Sequence, residues 1–275
     1  RSTLFPYTTL FRSASLFGTL PFMLSGDILN FADAIFESTS GFTTTGSTIL
    51  EDIEALQPGI MFWRSQTHWL GGMGILVLFI AILSITSSGG LQVYKAESTS
   101  LIDNKLRPKL SETAKILWFT YVMLTAFLVM LLLAGGMSFF DSLCHAFSAI
   151  ATGGFSTKNL SIGFYDSSYI QWILTLFMFL SGINFALYYP VYKNKSFKSF
   201  YKNAEFKLYS LIVFLSIAFT FFALYRAFPE NGFFDNILDS AFHVVSVITS
   251  TGFATTDYNL WPEVTKVLLF TIMFI

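Results

Sequence analysis

The sequence is short of charge and of cysteine. Charged residues make up 12% of the 275 residues, whereas a soluble domain carries about 25%. Hydrophobic residues reach 53%, and the mean hydropathy is +0.61. The single cysteine, Cys144, excludes a disulfide within the chain. These shortages exclude an ordinary soluble domain and indicate an integral membrane protein.

Side-chain sets that carry enzyme chemistry are missing too. The sequence has no Walker-type phosphate loop and no nucleophile–base set, and its three histidines are not grouped with other metal ligands. A polytopic membrane enzyme needs titratable groups clustered at helix ends, and the apolar segments have almost none. The sequence therefore favours a transport protein over an enzyme and predicts no covalently bound cofactor.

One short stretch occurs three times, which is typical of a supersecondary unit used repeatedly. The copies align without a gap on a shared glycine. Each has Asn or Ser sixteen residues before that glycine, Asp thirteen before, Ser six before, and Thr or Ser two before. The copies are residues 30–48, 138–156 and 236–254, with their glycines at Gly46, Gly154 and Gly252.

Each copy predicts a short helix followed by an extended loop. Asn or Ser followed three residues later by Asp is a helix-start signal, and about a dozen helix-compatible residues follow. At 1.5 Å per residue this helix is about 18 Å long, too short for a bilayer core of about 30 Å. We interpret it as a re-entrant half-helix. The alternative is that each glycine ends an ordinary helix as its C′ residue.

The loop after each half-helix is predicted to bind ions through its backbone. Irregular backbone is tolerated at membrane depth only where protein or water lines it, and rings of carbonyls there replace the hydration shell of a cation. The predicted filter residues are Thr44, Thr45, Gly46, Thr152, Gly153, Gly154, Ser250, Thr251 and Gly252.

Four polar side chains in the predicted membrane region need an explanation, and three of them have two interpretations. Glu37, His145 and His243 lie nine residues before the shared glycine, in the middle of each half-helix. Either they tune the electrostatic field at the filter, or packing partners satisfy them. His68 lies near the start of an apolar segment, where we expect a role at the membrane interface.

The copies alternate with long apolar segments, among them residues 60–86, 114–134, 169–189 and 207–225. The predicted fold is an all-α polytopic membrane protein, built from span, half-helix, filter loop and span around one pore. Residues 1–13 match the translated read-through of a common sequencing adapter and are excluded. The expected division is 14–86 for the first pore unit with a shortened first helix, 87–113 and 190–206 for connectors, 114–189 for the second unit, and 207–275 for the third unit with a shortened second helix.

Orientation follows from the basic residues, which favour the cytoplasmic side of a membrane. Ten of the 16 lie in or beside the two connectors, whereas 13 of the 17 acidic residues lie on the side of the filter loops. The connectors are therefore predicted to be cytoplasmic and the filter loops to face outside. Acidic residues at the mouth would raise the local cation concentration.

Several segments resemble the Trk/Ktr potassium-uptake family, in its TrkH-type branch. They are WRSQTHWLGGMGI at residues 63–75, SGFTTTGST, ATGGFST, STGFAT, KAE at 95–97, SETAKILW at 111–118 and SGINFALYY at 181–189. The resemblance implies four pore units, K⁺ as the transported ion, and the bacterial inner membrane as the location. It also implies a homodimer and a cytosolic nucleotide-binding ring of the TrkA type, with nucleotide bound only on that partner. No nucleic-acid partner is expected.

Other functions of the same pore stay open. The loops read TTTGS, ATGGF and TSTGF, which leaves both a potassium filter and a sodium-coupled or sodium-permeable one, working as channel or symporter. The pore subunit of an ion pump is a further alternative, against which the 63–75 motif argues. The resemblance implies a fourth filter glycine outside this sequence, so we expect residues 14–275 alone to be a non-functional fragment.

The topology is tested by labelling with an impermeant thiol reagent from outside, after Cys144→Ala. We expect Asp52→Cys to be labelled and Ser199→Cys to be protected, because the positive connector lies inside. The opposite labelling pattern would place the filter loops on the cytosolic side.

Overall fold

The computed structural model describes residues 5–74, 103–194 and 201–274. Over these ranges the chain forms helices and no β-strand. The helices are α1 (Phe5–Ser25), α2 (Phe31–Phe42), α3 (described over 58–74), α4 (Asp103–Ala134), α5 (Phe139–Ile150), α6 (Ser168–Ser181), α7 (Tyr188–Asn194), α8 (Ala204–Ala227), α9 (Gly232–Ile248) and α10 (Glu263–Ile272). Short 3-10 turns occur at Ser161–Phe164, Phe185–Leu187, Pro229–Asn231 and Tyr258–Leu260.

Each of the three short helices packs against the longer helix that precedes it. Thus α2 lies on α1, α5 on α4, and α9 on α8. Helix α9 also packs against α6, which joins the second and third groups of helices. The largest apolar core lies where α4, α5, α6, α8 and α9 meet, and includes Leu128, Leu174, Phe177 and Phe242, each at most 1% exposed.

The starts of α2 and α5 are confirmed by their caps. The Asn30 side chain accepts from the N–H of Ala32, and Ser138 accepts from the N–H of Asp141 while donating to the carboxylate of the same residue. Asp33 and Asp141 lie in the first turn, where negative charge is stabilised by the helix dipole. Both helices have 12 residues, as the sequence predicts.

The predicted start of the third short helix, at Asn236, is wrong. Helix α9 begins at Gly232, directly after a 3-10 turn, and has 17 residues. Asn236 lies inside it, and its side-chain amide donates to the carbonyls of Phe228 and Gly232 at 3.0 and 2.7 Å. Asn236 therefore stabilises the start of α9 from within the helix and is not its N-cap. At about 25 Å, α9 is still shorter than a bilayer core.

Within the described ranges, two helices are long and apolar enough to cross a membrane, namely residues 114–134 of α4 and all of α8. Only 33% and 28% of their most apolar windows are buried inside the protein. Large side chains such as Trp118, Phe127, Phe214 and Phe222 are therefore exposed. Such a surface suits contact with lipid, because apolar patches of this size are rare on soluble monomers.

The apolar segment 169–189 is not one continuous helix, because α6 ends at Ser181 and the helix is interrupted before α7. Gly182 lies against α8 and the C-terminus of α9. A Cβ there would come within 2.6 Å of Thr249 Cγ2 and 2.7 Å of the Tyr209 hydroxyl. The interruption thus begins at Gly182, where the chain lies so close to Thr249 and Tyr209 that a side chain would not fit.

Tyrosine hydroxyls bind two of the last carbonyls of α6. Tyr188 donates to the carbonyl of Leu180 at 2.9 Å, and Tyr209 donates to that of Phe179 at 3.2 Å. The last carbonyls of a helix need such partners when they are shielded from water. The interruption is therefore accommodated within the fold.

Two other boundaries differ from the sequence-based division. Helix α1 extends back to Phe5, so residues 5–13 are helical, and their adapter origin stays a prediction. Helix α4 begins at Asp103, inside the predicted connector 87–113. The rest of that connector, the end of segment 60–86 and residues 195–200 of the second connector lie outside the described residues.

Two glycines of α3 test whether α3 packs closely on α2. A Cβ at Gly71 would lie 2.8 Å from the carbonyl carbon of Phe42, whereas one at Gly59 has nothing within 4 Å. We expect Gly71→Ala to destabilise the full-length protein by about 1–3 kcal/mol and Gly59→Ala to cause no loss. Thermal unfolding in detergent measures both, and equal melting temperatures would contradict the packing.

Candidate functional site

The three short helices end in the same backbone motif, and each leads into a loop around a shared glycine. Loop 1 is residues 43–49, loop 2 is 151–157 and loop 3 is 249–255. The N–H one residue before each glycine bonds to the carbonyl of the serine six before it, at 2.9, 2.8 and 2.8 Å. The N–H two residues before each glycine donates to the carbonyl of the residue five before the glycine, at 3.0, 3.2 and 3.0 Å. This pair of bonds is a Schellman motif.

The residue at the left-handed position of that motif is hydroxylated in all three loops. A left-handed conformation costs a side-chain-bearing residue about 1–2 kcal/mol. The glycine does not end the helix, so the alternative that it serves as an ordinary C′ residue is wrong. The left-handed residues are Thr44, Thr152 and Ser250, with φ of 54°, 53° and 57°, and the glycines two positions later have φ of 76°, 81° and 81°.

The loops lie side by side in chain order. A Cβ at Gly46 would collide with the carbonyl oxygen of Gly153, and one at Gly154 would collide with the carbonyl oxygen of Thr251. The glycine of each loop thus touches the carbonyl that precedes the glycine of the next loop. Gly252 has nothing within 4 Å, so loop 3 has an open side in the described part of the chain. All nine predicted filter residues lie in these loops.

Glu37 and His145 lie behind their loops and hold equivalent positions. The Thr48 hydroxyl donates to Glu37 at 2.9 Å, and His145 Nε2 lies 2.9 Å from the Ser156 hydroxyl. Thr48 and Ser156 are each two residues after the shared glycine. Both Glu37 and His145 are fully buried. Through these bonds, each side chain contacts the segment that follows the glycine of its loop.

His243 is the corresponding side chain behind loop 3, but it lacks this contact. Its Nδ1 lies 3.0 Å from the carbonyl oxygen of Asp239. The residue two after the glycine is Ala254, which has no hydroxyl, and His243 Nε2 has no hydrogen-bond partner among the described residues. Loop 3 therefore lacks the contact that Glu37 and His145 make with loops 1 and 2.

Serines six residues before the glycine tie two of the loops to their helices. The Ser40 hydroxyl donates to the carbonyl of Ser47 at 2.6 Å, and the Ser246 hydroxyl donates to that of Phe253 at 2.7 Å. The hydroxyl of Ser148, in the helix before loop 2, has no hydrogen-bond partner in the described ranges. These serines were visible as a matched position in the repeats, but the sequence did not indicate what they bind.

The residue two after the glycine is also held by the preceding part of the chain. In loop 2, Arg64 Nη1 donates to the carbonyl of Ser156 at 3.3 Å, across 92 residues. In loop 3, the N–H of Ala254 donates to the Ser161 hydroxyl at 3.3 Å, and its carbonyl accepts from Gly163 at 3.1 Å. The same position is therefore linked to the preceding part of the chain by a side-chain cation in loop 2, and by a serine hydroxyl and a backbone N–H in loop 3.

Arg64, on α3, is only 1% exposed and forms a buried ion pair. Its Nε donates to Glu37 at 2.6 Å, and its guanidinium carbon lies 3.9 Å from the centroid of the Phe155 ring. His68, one turn later, stacks on the same ring at 4.0 Å. The expected interfacial role of His68 is wrong, because its side chain is fully buried. Removing one partner of such an ion pair typically costs about 3–5 kcal/mol.

Outside the loops, Asn159 joins the turn after loop 1 to the segment after loop 2. Its side-chain oxygen accepts from the N–H of Ile53 at 2.7 Å, and its amide nitrogen donates to Asp52 at 2.8 Å. Its own N–H donates to Glu54 at 3.2 Å. The hydrogen bond from Asn159 lowers the pKa of Asp52 below its usual value, so this carboxylate stays charged at neutral pH.

The chemistry of the loops suits a monovalent cation. Among the described residues, no group of three or more His, Cys, Asp or Glu could hold a metal ion. Glu37, the carboxylate nearest loop 1, is already paired with Arg64. The other polar atoms of the loops are neutral carbonyl and hydroxyl oxygens, the kind of group that replaces the hydration shell of a cation in carbonyl-lined filters.

Comparison with known proteins shows the same architecture. A profile of the TrkH family, described as cation transport protein, matches residues 7–228. The Trk system potassium uptake proteins TrkH of Halomonas elongata and Escherichia coli K12 are 38% and 40% identical over 94% of this chain and 54% of their own length. The crystal structure of the potassium transporter TrkH from Vibrio parahaemolyticus superposes with a TM-score of 0.84 at 34% identity, over 96% of this chain and 54% of that one.

The chain therefore spans about half the length of the curated relatives that it matches. The family profile nevertheless covers well over half of the chain, including loops 1 and 2 and the helices that hold them. On this evidence of sequence, the chain belongs to the TrkH family of cation transport proteins, which are integral membrane proteins and not enzymes.

Proposed function

We propose that the protein takes up K⁺ across the bacterial inner membrane through a filter formed by loops 1, 2 and 3. The observation that carries this proposal is the repeated backbone geometry. Three loops share one left-handed turn and one positive-φ glycine, and neighbouring loops touch through a glycine and a carbonyl. A ring of equivalent carbonyls is the arrangement that replaces the water around an alkali cation.

The choice of K⁺ is supported by relatives that are named for potassium uptake. The backbone oxygens come from the nine residues predicted from the sequence, with the hydroxyls of Thr44, Thr152 and Ser250 beside them. Glu37, His145 and His243 act from behind, as supports for the loops. A sodium-permeable filter is the competing outcome, and uptake of labelled cations distinguishes the two.

The pore is proposed to be four-sided. Each loop with its two flanking spans forms one unit, over residues 14–86, 114–189 and 207–275. Loop 3 has an open side at Gly252, and a fourth loop fits there, since the matched relatives are nearly twice as long as this chain. We also propose that the filter loops face outside and the lysine-rich connectors face the cytoplasm.

The partners are proposed from the family alone. The relatives are named as parts of a Trk system, which supports a complex with several components. We propose a homodimer in the membrane bound to a cytosolic TrkA-type ring, with any nucleotide held by that ring. Lipid covers the exposed apolar faces of α4 and α8.

Two filter glycines provide the direct test in the full-length protein. Gly154→Ala would introduce a Cβ against the carbonyl of Thr251, and both Gly154 and Gly252 have φ of 81°. We expect each alanine variant to abolish selective uptake, measured as growth of an uptake-deficient host on low potassium.

Gly136→Ala is the matched control, because Gly136 also has positive φ, 89°, and open space around it but lies outside the loops. It should carry the same conformational strain without touching the filter. Normal growth of both loop variants, or equal loss in all three, would refute the filter assignment.

The ties behind the loops are tested by three serines at one repeat position. Ser40→Ala and Ser246→Ala each remove a buried hydrogen bond to the loop, so we expect each to lose about 1–2 kcal/mol of stability. Ser148→Ala removes a hydroxyl that has no partner in the described structure and should cost less. Denaturant unfolding in detergent ranks the three, and a uniform effect would contradict the ties.

A further inference from the structure

Arg64 contacts loop 2 directly and is linked to loop 1 through Glu37. Through Nε it binds Glu37, which in turn accepts from the hydroxyl of Thr48 and the N–H of Ile49 in loop 1. Through Nη1 it binds the carbonyl of Ser156 in loop 2. A single guanidinium on α3 therefore reaches the segment after the glycine in both loops.

We propose that Arg64 is a positioning residue that fixes loop 2 against loop 1 and thereby determines which cations the filter accepts. This inference rests on the proposed function of the loops. Arg64 does not contact the ion path through its own side chain, since Glu37, Phe155 and the backbone of Ser156 surround it. Its effect is transmitted through the positions of the loop carbonyls.

The contacts need an arginine and not merely a positive charge. The planar guanidinium bonds in two directions while one face lies on the Phe155 ring. A lysine ammonium is a compact point charge on a flexible stem and does not reproduce a planar, stacked set of bonds. Lysine at this position would keep the pairing with Glu37 but lose the fixed angle toward Ser156.

Loops 1 and 2 lie so close together that a small displacement of loop 2 would change the distances between their backbone atoms. The glycine of loop 1 touches the carbonyl of Gly153 in loop 2 so closely that no Cβ fits between them. Functional groups must be held within about 0.5 Å of their working positions by residues that are themselves locked in place. A shift of loop 2 would change the separation of neighbouring carbonyls, which is the quantity that distinguishes K⁺ from Na⁺ in a size-selective filter.

Loops 2 and 3 show what the arginine replaces. There the link is made by the Ser161 hydroxyl and the N–H of Gly163, both bound to the backbone of Ala254. These bonds come from a segment that lies directly beside loop 3. Loop 2 has no such bonded backbone neighbour from the first unit at Ser156 among the described contacts, so the long side chain of Arg64 spans the gap.

The test uses Arg64→Lys in the full-length protein, reconstituted in liposomes. Rubidium uptake is measured per inserted transporter, with and without competing sodium. We expect the KM for rubidium to rise about tenfold and the preference for rubidium over sodium to fall about tenfold. Arg226→Lys is the control, because Arg226 is exposed at the end of α8 and the same chemical change there should leave both quantities unaltered.

Glu37→Gln is the second variant, and it keeps the shape and the hydrogen-bond acceptor while removing the negative charge. It should also raise the KM for rubidium, because Arg64 is then held by a hydrogen bond to a neutral side chain, which is weaker than the ion pair. Variants that insert in smaller amounts but keep the wild-type KM and selectivity would overturn the proposal, as would variants that fail to insert at all, since either result shows a purely structural role. A wild-type protein without selective uptake would instead refute the proposed function.

Discussion

Backbone hydrogen bonding is the constraint on which the rest of the structure depends. A chain that leaves a helix inside an apolar environment must find partners for the N–H and C=O groups that the helix no longer satisfies. The left-handed turn after α2, α5 and α9 provides the first two bonds in each case. Buried serines, a histidine, a glutamate and Arg64 then bind the loop beyond it. The strain at three hydroxylated residues is thus part of a motif that lets extended backbone exist beside packed helices.

The links between neighbouring loops are not equivalent, although the loops themselves are. Loops 1 and 2 are joined through Arg64, which pairs with Glu37 and donates to the carbonyl of Ser156. Loops 2 and 3 are joined by the Ser161 hydroxyl and the N–H of Gly163, which bind the backbone of Ala254. Loop 2 is also the most buried of the three, since it has a neighbour on both sides. Because the three loops are repeats within one chain, each loop is held by different side chains, whereas loops contributed by identical subunits would all be held in the same way.

The repeated elements could be predicted from the sequence because they depend on local signals. The shared glycines, the caps of α2 and α5 and the length of those helices all follow from spacing within about twenty residues. The start of α9 and the interruption at Gly182 could not be predicted in this way. Both depend on neighbours distant in sequence, such as Thr249 and Tyr209, and a periodicity argument contains no information on them.

Arg64 and His68 show the same limit for the candidate site. In the sequence both lie in a motif near the start of an apolar segment, and the sequence predicts a role at the membrane interface for His68 and no role for Arg64. Their partner Phe155 is some ninety residues away, and only the fold brings its ring against both side chains. A buried charge needs a counter-charge and hydrogen bonds; α2 supplies the counter-charge through Glu37, and loop 2 supplies a further acceptor through the carbonyl of Ser156. Arg64 and His68 of this motif therefore pack behind the first two loops, through Glu37 and Phe155.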